Sequence, residues 1–257
     1  MHPVSTFILI LVILFFIKLY LNGRYNTKTK DLKNKVIVIT GGTHGMGAHL
    51  IQHLLHANAT VIAFSRNESL GIRLQEEYKA KYPNGKFQHI TMDLADLDSV
   101  KSATEKFIAK YDRIDYLIDN AGILVSPYAK TKQNIEKVFG VNYVGHFLFT
   151  MKLKELLKKR KGRLIVVSSI MANFADKPIS FDCPKEKYNS FQRYSQSKLA
   201  LMMMTKELSE NGIEAVYLHP GIVTSNILGT WPKWVQKAFA IVGWFIFKSV
   251  EEDQDVQ

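Results

Sequence analysis

The chain has 257 residues, 47% of them apolar, enough to bury one sizeable core. Its formal net charge of +11 comes with no zinc-ligand spacing and no aromatic interleaving, which argues against nucleic acid. A single cysteine, Cys183, excludes an intrachain disulfide.

The most apolar segment comes first, from Val4 to Leu21, broken only by Ser5, Thr6 and Lys18. Its length is at the lower limit for a membrane-spanning helix. No basic residue precedes the run and no small-x-small cleavage site follows it, which disfavours a signal peptide. The expectation is an N-terminal transmembrane anchor over 1–24, then a basic linker over 25–34. Arg24, Lys28, Lys30, Lys33 and Lys35 follow the span and only His2 precedes it. Basic residues stay cytoplasmic, so the main domain over 35–257 should face the cytosol, with the endoplasmic reticulum membrane as the expected location. The densest basic run, 152–163, reads as a solvated helix end near an anionic surface.

From there apolar strands alternate with helical patterns. Strands are predicted at Val36 to Thr40, Thr60 to Ser65, Lys86 to Met92, Ile114 to Ile118, Arg163 to Ser168 and Ile213 to Leu218. Helical patterns cover about 46–57, 68–81, 97–110 and 132–159, and a last one carries Tyr194 to about Glu210. This alternation predicts an α/β fold: a Rossmann-type, doubly wound parallel sheet with helices on both faces.

Two motifs carry chemistry. Thr40-Gly41-Gly42-Thr43-His44-Gly45-Met46-Gly47 lies between the first strand and the first helix. Gly41 permits a tight turn, Gly45 lets the backbone approach a pyrophosphate, and Gly47 permits close helix–strand packing. The helix N-terminus adds amide donors and a favourable dipole. Tyr194 and Lys198 lie four residues apart, on one helix face. An ammonium near a phenol favours the phenolate, so Lys198 is expected to pull the Tyr194 pKa down. That equips Tyr194 as a general acid/base at neutral pH.

The G-x-x-x-G-x-G spacing together with Tyr194 and Lys198 resembles the short-chain dehydrogenase/reductase family. Further motifs match in order: Asp119-Asn120-Ala121-Gly122 after the fourth strand, Asn142 in its helix, Ser169 after the fifth strand, and Pro220-Gly221 after the sixth. Asp119 departs from the family's asparagine at that position. The resemblance covers about Lys35 to Phe247. The apolar N-terminus, the insert between Ser169 and Tyr194, and Gly243 to Lys248 narrow it to the membrane-anchored, retinol-dehydrogenase-like branch, with likeness to its polyprenol-dehydrogenase-like members.

The resemblance implies hydride transfer between a nicotinamide and a carbinol carbon. Tyr194 exchanges the hydroxyl proton, Ser169 holds the substrate oxygen, Lys198 binds the nicotinamide ribose, and Asn142 supports a relay water. Thr43, His44, Met46 and the three glycines contact the cofactor phosphates. Asp93 and Leu94 lie at the adenine, Asn120, Ala121 and Gly122 near the ribose, and Pro220, Gly221, Val223 and Thr224 at the nicotinamide. The second strand ends Phe64-Ser65-Arg66, with no carboxylate before Glu68. Arginine pairs with the extra phosphate of NADP, so NADP is preferred and NAD stays open. No metal is implied.

After the sixth strand, 222–248 is rich in aromatics and flanked by Lys233, Lys237 and Lys248. It is expected to form a substrate lid, either lying at a membrane interface or packed on its own core. Relatives continue with a further helix and a seventh strand, which are expected to be missing here. The leading expectation is an oxidoreductase for a lipophilic alcohol or carbonyl of retinoid, polyprenoid or steroid-like type. It would contact membrane lipid and leave room for a homo-oligomer. The alternative is a catalytically impaired nucleotide-binding membrane protein that acts through a partner.

Overall fold

Six strands form one parallel sheet, in the order β3-β2-β1-β4-β5-β6. They are β1 (Val36–Thr40), β2 (Thr60–Ser65), β3 (Lys86–Thr91), β4 (Tyr116–Asp119), β5 (Arg163–Val167) and β6 (Glu214–Leu218). The computed structural model describes residues 12, 13, 16, 30–124 and 126–220. The chain divides into two units, Lys30–His219 and a second made of Met1–Thr29 with Pro220–Gln257. The sheet belongs wholly to the first. Of the second, only Val12, Ile13, Phe16 and Pro220 are described, the first three as helix. The rest of the expected anchor, residues 25–29 of the linker, the lid over 222–248 and any seventh strand lie outside the described residues. Among the described residues, no helix is long and apolar enough to cross a membrane.

β1 is apolar at every position but its last and buried along its whole length, as a central parallel strand must be. Its side chains alternate between two cores. On one face, Ile37 and Ile39 join Ile51 and Leu55 of α1 (Gly45–His56) and Leu74 and Tyr78 of α2 (Glu68–Lys81). On the other, Val36 and Val38 meet three further helices. Val100 and Phe107 come from α3 (Leu97–Ile108), and Phe149 and Leu153 from α5 (His146–Lys159), which follows the short α4 (Lys137–Phe139). Leu201 and Met204 come from α6 (Ser190–Glu210). The doubly wound expectation therefore holds. The strand order reverses between β1 and β4, which opens a crevice at their carboxyl ends.

The helical region expected over 132–159 is broken differently. Asn134 takes a positive φ of 64°, which an α-helix cannot continue through, and Lys130 bridges Glu136 in antiparallel fashion. The Glu136 carboxylate then caps the new start, accepting from the amides of Val138 (2.7 Å) and Phe139 (3.0 Å). One π-turn, Gly140–Gly145, separates α4 from α5. The fourth strand also begins later than expected, at Tyr116, because the Ile114 amide turns away to the Leu156 carbonyl.

Candidate active site

Thr40, the last residue of β1, ties the floor of the crevice together. Its Oγ1 accepts from the amides of Asn120 and Ala121, each at 3.0 Å. With both lone pairs used, its proton goes to His146 Nε2 at 2.9 Å. His146 must then carry its own proton on Nδ1, which donates to the Asn142 carbonyl at 2.8 Å. Burial pushes this imidazole down to about 4, so it stays neutral.

The glycine loop sits directly above. Gly41 has φ +73°, and a Cβ there would lie 2.9 Å from the Ala121 Cα. A Cβ on Gly47 would lie 2.3 Å from the Gly41 carbonyl oxygen and 2.8 Å from Asn120 Nδ2. Asn120 Nδ2 in turn donates to the Thr40 carbonyl at 2.9 Å. α2, α3 and α6 begin on Asn67, Asp96 and Asn189, each of which accepts a backbone amide with its side chain. α1 is different: His44 stands at its N-cap and makes no such bond, its ring pairing instead with Thr43 Oγ1 at 3.1 Å. The amides of Gly45, Met46 and Gly47 therefore open the helix without a side-chain acceptor. The bare helix start and the cradle that only glycine fits suit a dinucleotide pyrophosphate.

Arg66 and Asp93 follow β2 and β3 at the same end of the sheet. Arg66 is exposed, while Asp93 accepts from the Ala95 amide at 2.9 Å. Leu94 is buried, and its carbonyl lies 2.6 Å from where a Gly145 Cβ would stand, so the π-turn packs on this segment. Pro220 is half-buried just after β6. Gly221, Val223 and Thr224 lie outside the described residues.

At the other side of the crevice, α6 presents Tyr194 and Lys198, 7% and 3% exposed. The Lys198 ammonium lies 5.6 Å from the centre of the Tyr194 ring and donates to the Val167 carbonyl at 2.8 Å. Ser169 follows β5 and is half-buried. Its Oγ accepts from the Met171 amide at 3.3 Å, which leaves the hydroxyl proton free, and it reaches the Tyr194 hydroxyl. The Asn142 side chain holds the loop after β4 by a reciprocal pair with Ile123, both at 2.8 Å, and donates to Ser197 on α6 at 3.1 Å. A Cβ on Gly122 would stand 3.4 Å from Asn142 Oδ1 and 3.6 Å from Lys198 Nζ. Asn142, Ser169, Tyr194 and Lys198 thus stand together beside the Asn120–Gly122 loop.

One electrostatic expectation is overturned. The Tyr194 pKa is raised, because burial strips solvation from the phenolate; the opposing pull comes from the Ser169 hydroxyl and not from Lys198. Lys198 is itself pushed down to about 8 by burial, with Asp119 acting against the fall.

The burial of several polar residues of this region escaped the sequence reading. Asp119 is 1% exposed, accepts from Thr150 Oγ1 at 2.7 Å through Oδ2, and has no partner on Oδ1. Burial pushes it up to about 7. Glu136 and Arg193 form a buried ion pair at 3.0 Å. One available signal was a polar stripe, Asn142, His146 and Thr150, at four-residue spacing along an otherwise apolar helical face. Among the described residues, no His, Cys, Asp and Glu cluster suits a metal ion.

Residues 35–236 match the family described as short chain dehydrogenase. Mouse retinol dehydrogenase 12 is 34% identical over 235 residues, spanning 86% of this chain and 74% of that protein. Human polyprenol dehydrogenase is 30% identical over 230 residues, spanning 85% and 70%. Among solved structures, a blue fluorescent protein from a metagenomic library in complex with NADPH superposes with a TM-score of 0.60. It has 25% identity, and 76% of each chain is covered. With the glycine cradle and its bare helix start, these likenesses make the chain a member of the short-chain dehydrogenase/reductase family, in the retinol-dehydrogenase-like branch, and an NAD(P)-dependent alcohol dehydrogenase/reductase.

Proposed function

We propose that the chain is an NADP-preferring, membrane-anchored oxidoreductase for a lipophilic alcohol or carbonyl, with Tyr194 as its general acid/base. The observation that carries this is the meeting of Tyr194, Lys198, Ser169 and Asn142 beside a dinucleotide-shaped crevice. The names of the relatives, retinol and polyprenol dehydrogenases, support a long apolar substrate. The apolar N-terminal run supports an anchor in the membrane where such substrates dissolve.

Residues 41–47 would hold the cofactor pyrophosphate, Asp93 and Leu94 the adenine, and Lys198 the nicotinamide ribose. Asn120, Ala121 and Gly122 would stand near the nicotinamide ribose. Arg66, with no carboxylate beside it at the end of β2, would favour the extra phosphate of NADP. A nicotinamide bound in this crevice would supply the hydride acceptor or donor.

The protein supplies the proton and the positioning. Tyr194, held protonated by burial, donates to the carbonyl oxygen of a substrate undergoing reduction. Ser169 uses its free hydroxyl proton on the same oxygen and fixes its place. Lys198, whose ammonium lies 5.6 Å from the Tyr194 ring centre, would hold the nicotinamide ribose beside it. Asn142 clamps the 122–123 loop to α6, keeping these groups in register.

The test uses full-length protein in detergent with all-trans-retinal and a polyprenal, each with NADPH or NADH. Tyr194→Phe should lower kcat by at least about 10²-fold with NADPH binding retained. Arg66→Ser should weaken NADPH binding and leave NADH binding unchanged. Tight NADPH binding by the wild type without turnover of either substrate class would refute the proposal.

A further inference from the structure

A second carboxylate stands behind the proposed site. Asp119 closes β4, and its register partner across the sheet is Val166 of β5. The next residue of β5, Val167, supplies the carbonyl that receives the Lys198 ammonium. The Asp119 carboxylate and this ammonium are therefore neighbours across one strand pair, both removed from water. They do not touch as an ion pair. Oδ2 is committed to Thr150, while Oδ1 is buried with no protein donor. An acceptor left orphaned in a folded core carries a cost, and among the described residues the cation acting on it is Lys198.

We propose that Asp119 is a positioning residue that acts through Lys198, its carboxylate holding the ammonium in the charged state in which it would meet the nicotinamide ribose. The proposal rests on the Tyr194–Lys198 reading and adds the group beneath it.

The surroundings leave few competitors. β1 brings no titratable side chain to Asp119, and β5 brings only Arg163, at its opposite end and paired with Glu214. α5 brings His146, which burial keeps neutral, and its lysines begin beyond Thr150. α6 brings Lys198 and Tyr194. The coupling runs both ways: Lys198 favours ionised Asp119, and Asp119 favours charged Lys198. Thr150 adds to it by stabilising the carboxylate form.

Lys198 loses its proton near pH 8, below the raised Tyr194, so the alkaline limb of the pH profile belongs to Lys198. Asp119→Asn keeps the shape and an acceptor for Thr150 but removes the charge. Its alkaline limb for retinal reduction with NADPH should move down by about one pH unit or more. Thr150→Val leaves Asp119 in place and makes it harder to ionise, so the limb should move in the same direction by less. This second variant carries the test if Asp119→Asn folds poorly.

A cofactor-free readout runs alongside. Asp119 has a folded pKa raised from 3.8 to about 7, so its contribution to stability is lost as pH rises through about 7. Between pH 6 and 8 the melting temperature of the wild type should fall relative to that of Asp119→Asn. Unchanged alkaline limbs in both variants, or parallel melting curves across that range, would overturn the proposal. The melting readout needs no turnover, so failure of the catalytic reading, seen with Tyr194→Phe, is distinguished from failure of this proposal.

Discussion

Removing the Arg193 guanidinium tests the buried polar framework most directly. Arg193 Nε donates to Glu136 Oε2 at 3.0 Å, with the two side chains 4% and 1% exposed. Nη1 donates to the Ser180 carbonyl and to Gln196 Oε1, both at 2.7 Å, and the guanidinium lies 4.6 Å from the Phe139 ring centre. Arg193→Met keeps much of the volume and strands the Glu136 carboxylate without a counter-ion. Breaking one side of such a pair costs about 3–5 kcal/mol. Glu136 keeps its two backbone donors at Val138 and Phe139, which places the loss near the lower figure. About 3 kcal/mol corresponds to a fall of roughly 6–12 °C in melting temperature for a domain of this size. Circular dichroism melts of the full chain in detergent measure it. The double variant Glu136→Gln/Arg193→Met should recover part of the loss, because no charge is buried alone, while the single amide oxygen still caps one of the two amides. A single variant melting within about 2 °C of wild type, against the expected scale, refutes the reasoning. So does a double variant no better than the single.

Three other outcomes are expected. Gly47→Ala should abolish measurable NADPH binding in fluorescence titration, since its Cβ would stand 2.3 Å from the Gly41 carbonyl. Gly71→Ala makes a useful contrast: its Cβ would meet the His89 ring and no residue of 41–47, so it should lower stability and spare cofactor affinity. His146 has a folded pKa of about 4 against the ordinary 6.5, so the unfolded chain binds the proton better between those values. The His146 contribution to stability should therefore fall by about 3 kcal/mol as pH drops from about 6.5 to 4, opposed by that of Asp119, and His146→Gln should remove it in urea titrations.

The strands and most helices were legible because their physics is local. The continuous apolar run at 36–39 announces a strand covered on both faces, and the glycine spacing at 41–47 announces a backbone that must come close to a ligand. The order of motifs was enough to place Ser169, Tyr194 and Lys198 around one site. What stayed hidden depends on burial, which periodicity does not encode. Nothing in the sequence marks Glu136 and Arg193 as partners until the fold brings them together across 57 positions. The Lys198 effect on Tyr194 was reasoned from spacing alone, whereas desolvation of the phenolate decides its direction. Asn134 carried a weak cue, being a residue type that tolerates the left-handed conformation and so breaks a helix.

The π-turn at Gly140–Gly145 imposes a length constraint on the chain. Each residue of an α-helix advances the facing direction by about 100°, and the wider turn sets the phase of everything after it. That phase aims His146 at Thr40, Thr150 at Asp119 and Phe149 at Phe64. Deleting one residue from the turn would carry all three off their partners at once, while each side chain remained chemically intact. In this segment, the number of residues is under as strong a physical demand as their identity.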